Sequence, residues 1–149
     1  MCEVSDKMAK KKDPETIQEL NTVFLDKDNL KDNNITKAMN RLADKLTKAN
    51  LWLYILRLLE DEPLYGYEIK QKIQKQFGFQ PAIVSGYVIL YKMKKDGLVQ
   101  VEWKTSTEEG KPNRKYYQIT DIGKSAMNQA KKYMETLLTS VFDKSEAKM

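Results

Sequence analysis

The apolar residues of this chain change period from helical spacing to strict alternation and back, and that change limits the fold more than any single residue does. Leu98-Val99-Gln100-Val101-Glu102-Trp103 alternates as a strand does, and so does Lys115-Tyr116-Tyr117-Gln118-Ile119. Between them, residues 105–113 are polar, contain Gly110 and Pro112, and form a long hairpin loop. Ahead of the hairpin the spacing is helical. Residues 67–77 turn Ile69, Ile73 and Phe77 inward and end at Gly78, a C-cap. Pro81 opens a second helix, which runs to Asp96 and stops at Gly97. Behind the hairpin, Thr120 caps a last helix from Asp121 to about Phe142.

Further upstream the pattern is longer. Ile35, Met39, Leu42, Leu46, Ala49, Leu53 and Leu56 follow one another at intervals alternating between four and three, the spacing of a helix–helix seam. After Asn50 a second stripe joins through Trp52, Ile55 and Leu59, so one long helix is expected to enter the globular part and end at Glu60-Asp61-Glu62-Pro63. Residues 1–12 read as a lysine-rich tail. Asp13 and Pro14 start a short amphipathic helix carrying Ile17, Leu20 and Phe24 or Val23, and residues 26–34 are a polar break. Three helices, a two-stranded hairpin with a charged loop and a closing helix make a winged helix-turn-helix. The expected fold is therefore mainly α with a small β-hairpin (α+β), carrying an N-terminal helical arm and a C-terminal dimerisation helix. Its parts are 1–34, polar tail and short helix; 35–120, winged helix with a long first helix; and 121–149, dimerisation helix and tail.

Composition excludes much chemistry. There is no histidine among the 149 residues, which removes the commonest general base and imidazole metal ligands. The single cysteine, Cys2, excludes a disulfide framework or a zinc site. Neither a Walker A run nor a G-x-G-x-x-G is present, so no enzyme, metal or cofactor is expected. The N-terminal residues hold no apolar run that could serve as a signal peptide, and the most apolar stretch, residues 51–59, is too short to span a bilayer and contains Arg57. The expected location is cytoplasmic, without membrane contact.

What remains is a basic chain, with net charge +5. On the helix opened by Pro81, Ile83, Leu90 and Met93, with Val84 or Ile89, can face a core, leaving Ser85, Tyr87, Val88, Tyr91, Lys92, Lys94 and Lys95 elsewhere. Such hydroxyls, rings and lysines suit a DNA groove; an ordinary solvated face has the same composition. Residues 91–115 hold seven basic and four acidic side chains, +3 of the total, although Glu108-Glu109 at the loop tip opposes phosphate. The candidates for the major groove are Ser85, Tyr87, Tyr91 and Lys92. Those for the backbone or adjacent minor groove are Tyr67, Lys104, Lys111, Arg114 and Lys115. On the last helix Met127, Ala130, Met134, Leu137 and Val141, widened by Ala126, Tyr133 and Leu138, form a stripe that packs on its own domain or on a second copy. A homodimer would cover both this stripe and the upstream seam, and would present two recognition helices to two half-sites. Trp52 and Trp103 read as core more readily than as cavity walls. Tyr65, Tyr67, Tyr116 and Tyr117 are ambiguous between anchoring the fold and touching phosphate.

Three of these segments resemble one family. Residues 56–69 (LRLLEDEPLYGYEI), 85–99 (SGYVILYKMKKDGLV) and 111–123 (KPNRKYYQITDIG) are similar, in order, to the helix joint, recognition helix and wing of PadR-family transcriptional regulators. The resemblance covers about residues 52–125. It implies a dimeric winged-helix repressor, dimerised through its C-terminal helix, on pseudo-palindromic promoter DNA. The family's usual Gly-Thr at the recognition-helix start is Val84-Ser85 here, its proline after the helix tyrosine is Val88, and Tyr65 stands where many members have histidine. Some members take small-molecule effectors between subunits; no residue here nominates one. The alternative function for the same fold is a protein–protein interaction module gripping a partner with the heptad-bearing arm.

Overall fold

A computed structural model describes residues 15–25, 34–105 and 109–143, with backbone alone at 34–36, 83 and 84. The expected tail, the Asp13-Pro14 helix start, the break after Asp26 and Glu108 lie outside the described residues. The elements in chain order are α1 (Ile17–Leu25), α2 (Asn34–Thr47), a 3-10 turn (Lys48–Asn50), α3 (Leu51–Asp61), β1 (Leu64–Tyr65), α4 (Gly66–Phe77), α5 (Ile83–Lys95), β2 (Val99–Lys104), β3 (Arg114–Ile119) and α6 (Asp121–Phe142). The hairpin forms as expected, and β1 adds a third strand. The sheet order is β1-β3-β2, antiparallel throughout, with Leu64 opposite Tyr117 and Val99 opposite Ile119.

The expected long helix is instead two helices joined by the 3-10 turn. Asn50 adopts φ −125° and ψ 39°, outside the helical region, and its side-chain amide donates to the Lys45 carbonyl at 2.8 Å. The side chain thus donates to a carbonyl that, in a continuing helix, would accept from a backbone N–H. Tyr54 spans the joint, its hydroxyl donating to the Leu46 carbonyl at 2.9 Å. The break leaves the seam divided. Leu51, Ile55, Leu56, Leu58 and Leu59 on α3 are buried, while Leu42 and Leu46 on α2 stay exposed.

The arm is fastened at its other end too. Asn21 on α1 is buried, and its side-chain amide donates to the Phe77 carbonyl at the end of α4, 2.7 Å away. Gly78 follows at φ +74°, its N–H bonded to Gln74, and a Cβ there would lie 2.6 Å from the Gln18 carbonyl oxygen. The close approach of α1 to this left-handed cap therefore requires glycine. Replacing Asn21 by Ala strands the Phe77 carbonyl and is expected to loosen the arm by about 1–2 kcal/mol. Amide hydrogen exchange would then quicken in α1 and α2 and leave α3 unchanged.

The core gathers α3, α4, α5 and one sheet face around Ile55, Leu56, Leu64, Ile73 and Met93. Local signals end its helices. Leu98 N–H reaches back to the Met93 carbonyl at 2.9 Å and Gly97 takes φ +79°, closing α5 and turning the chain into β2. Thr120 caps α6, its hydroxyl accepting from Gly123 N–H at 3.1 Å and donating to the Gly97 carbonyl. Among the described residues, no helix is long and apolar enough to cross a membrane.

Candidate nucleic-acid interface

Helix α5 divides cleanly. Leu90 and Met93 are buried and Ile89 is half-buried, leaving Ser85, Tyr87, Val88, Tyr91, Lys92, Lys94 and Lys95 on the outward arc. All four residues expected in the major groove lie on that arc, with Tyr91 70% exposed. Val88, Tyr91, Lys92 and Lys95 fall at i, i+3, i+4 and i+7, so Val88 and Lys95 share the middle of the face with the expected pair. An apolar Val88 there suits contact with a thymine methyl rather than with phosphate.

Tyr67, at the start of α4, is 61% exposed and shares with Tyr87 the rim of a cavity of about 200 Å³ between α3, α4 and α5. Tyr87 leans over the α4 N-terminus, its Cε1 3.9 Å from where a Gly66 Cβ would stand. Tyr117 is buried beneath the wing, and that burial, with Tyr87 nearby, pushes its hydroxyl above the usual tyrosine range.

From this pair of tyrosines, rings and cations run out along both faces of the wing. On one face Tyr67 stacks on Tyr65, with centroids 6.5 Å apart, and Tyr65 meets Tyr116 edge-on at 5.6 Å. The Arg114 guanidinium lies 4.5 Å over Tyr65 and the Lys104 ammonium 4.6 Å over Tyr116. Cross-strand pairing sets this arrangement, because Lys104 opposes Arg114 and Tyr65 opposes Tyr116. The rings restrict two long side chains that would otherwise sweep freely in water. On the other face Lys115 opposes Trp103 and stands 5.5 Å over Tyr117.

The structure therefore gathers Lys104 and Arg114 with Tyr67 and puts Lys115 on the opposite face, dividing a set that the sequence groups together. Lys111 is exposed in the loop. Glu102 shares the Arg114 face and tempers its charge. Trp103, expected as core, is 66% exposed beyond the core's edge, because its pair with Lys115 lies two residues past the core-packed Val101–Tyr117 pair and one short of the last pair before the loop, Lys104–Arg114. Trp52 is half-buried against the core as expected. The ring platform of Tyr65 and Tyr116 was legible only as ambiguous tyrosines. Tyr116 shares a face with Arg114 two residues before it, and Tyr65 joins that face only through its pairing with Tyr116.

The α6 stripe is divided as well. Met127 packs against its own core and Ala130 is half-buried, whereas Tyr133, Met134, Leu137, Leu138, Val141 and Phe142 remain exposed. Met127 is thus partly occupied within its own chain.

Residues 55–129 match the transcriptional regulator PadR-like family. Over 86 residues the chain is 30% identical to an uncharacterised protein of Lysinibacillus sphaericus, 56% of this chain and 77% of that one. Among solved structures, it resembles a PadR-like transcription factor from Bacteroides fragilis with TM-score 0.58 at 30% identity, over 68% of this chain and 95% of that one. It also resembles a PadR-like transcriptional regulator from Bacillus cereus, with TM-score 0.55 at 32% identity over 65% and 92% of the two chains.

Proposed function

The chain belongs to the PadR-like family of transcriptional regulators, and on that premise we propose that it is a homodimeric repressor that occludes a pseudo-palindromic promoter site. Regulators of this family bind DNA. The observation that carries the reading is the outward arc of α5, continuous through Tyr67 and Tyr87 with the cation-bearing wing. Ser85, Tyr87, Val88, Tyr91 and Lys92 would enter the major groove, where hydroxyls and an apolar contact read base edges. Arg114 and Lys104, steadied on Tyr65 and Tyr116, would neutralise phosphates beside it. Lys111 and Lys115 would extend that contact toward the adjacent minor groove. The exposed distal half of α6 would carry the dimer, bringing two α5 helices to half-sites about 34 Å apart.

Salt dependence tests the wing directly. Arg114→Ala is expected to weaken binding to every sequence and to reduce the slope of log K against log salt by about one, the signature of one lost phosphate contact. Tyr65→Ala, which removes the ring beneath Arg114, should weaken binding by a few-fold, consistent with about 0.5–1 kcal/mol for an exposed cation–π pair. Equilibrium titrations by fluorescence anisotropy read both. An unchanged slope for Arg114→Ala would remove the wing from the interface.

A further inference from the structure

The cavity between α3, α4 and α5 takes no part in the DNA contacts proposed above, although two residues of its rim do. Its floor is Leu51 and Ile55 of α3, Ile69 and Ile73 of α4, and Leu90 of α5, all buried. Two glycines keep it open. Gly86 is the fourth residue of α5, where an interior glycine weakens a helix relative to alanine. Its φ is not positive, and among the described residues a Cβ there would meet nothing within 4 Å. Neither a turn nor a close approach requires glycine at 86, and the side chain it lacks is what leaves the space. On the α4 side, a Cβ on Gly66 would meet Tyr87 alone, 3.9 Å away.

We propose that this cavity binds a small uncharged apolar molecule of one ring or a compact fused pair, and that its occupancy opposes DNA binding. The second half rests on the reading of α5 given above; the first does not. Size sets the class. A cavity of about 150 Å³ lined by such side chains takes benzene, so one of about 200 Å³ takes a substituted ring or a fused pair. Charge narrows it further. Five buried aliphatic side chains offer an ion no partner, and Lys70, the one charged side chain among the described lining residues, repels a cation. Position supplies the effect on DNA. Tyr67 and Tyr87 at the rim are 61% and 65% exposed, and both belong to the surface assigned to DNA. Tyr87 leans over Gly66, so an occupant beneath it moves a ring that would otherwise enter the groove. No described residue of α6 lines the cavity, which is built within one chain and does not depend on a second copy.

The test titrates the full chain with indole as the probe, by calorimetry and by nuclear Overhauser effects to its methyl groups. One indole per chain is expected, with a Kd below about 1 mM and contacts to the methyls of Ile55, Ile69 and Ile73. Gly86→Leu fills the space from within and should weaken indole binding about tenfold or more, with a melting temperature equal to or above that of wild type. Gly86→Ala, which adds a single methyl, should fall between the two. Absence of saturable binding, contacts that map to α6 instead, or Gly86→Leu binding indole as tightly as wild type would overturn the site. For the effect on DNA, saturating indole should raise the Kd for DNA from upstream of the gene about fivefold or more, and should leave that of Gly86→Leu unchanged. An indole-bound wild type that holds this DNA as tightly as the free protein would overturn the opposition. A wild-type chain that prefers no DNA would overturn the function proposed above, and the calorimetry and methyl contacts would still decide the cavity.

Discussion

Leu137→Asp combined with Val141→Asp is expected to convert the protein to a monomer and to weaken binding to its DNA site by about 100-fold or more. Both side chains are exposed on α6, at 38% and 66%, so the substitutions leave the core untouched and should not alter the circular dichroism spectrum. The loss arises from linkage. In the dimer the second α5 helix binds as an intramolecular event, at high effective concentration, and a monomer forfeits that gain without losing a single DNA contact. Sedimentation velocity and an anisotropy titration of the same sample read the two effects together. A variant that sediments as a dimer, or a monomer that binds DNA as tightly as wild type, would separate α6 from the assembly.

Gly123→Ala carries the largest expected cost in stability. Gly123 is buried in the first turn of α6, where an added Cβ would stand 2.3 Å from the Leu98 carbonyl oxygen and 2.8 Å from Ile119 Cγ1. The first of these neighbours is backbone and cannot rotate away, so α6 must lift from the base of the hairpin. Overpacking of this kind costs about 1–3 kcal/mol, a fall of about 2–12 °C in melting temperature for a chain of this size. The same shift displaces the Thr120 cap, whose hydroxyl joins Gly97 to Gly123. Thermal unfolding followed by circular dichroism checks the expectation, and a melting temperature equal to that of wild type would contradict it.

The winged-helix order was legible because its signals are local. The alternation in β2 and β3, Gly78 and Gly97 after their helices and the Thr120 cap each act within a few residues, and each stands where the sequence pattern puts it. The break at residues 48–50 was not legible, because apolar spacing of three and four passes unchanged through a helix and through a single 3-10 turn. Only the Asn50 side chain, bonded back to Lys45, distinguishes them. Strand β1 is two residues long, too short for any period to register, and depends on pairing with residues some fifty positions on. The same non-local pairing decides that Arg114 and Lys104 share a face while Lys115 does not. The docking of the arm was hidden for a further reason. Asn21 on an otherwise amphipathic helix looks like a solvated residue until the end of α4 is brought beside it.

The central claim is that α5 and the wing read a particular DNA site. It is tested most directly by titrating the protein against DNA from upstream of its own gene, with a scrambled duplex in parallel, by fluorescence anisotropy at about 50 and 200 mM salt, where non-specific contacts separate from specific ones. The account predicts a preference for the upstream DNA of about a hundredfold or more that persists at the higher salt. Equal affinity for both duplexes, erased by salt, would contradict it.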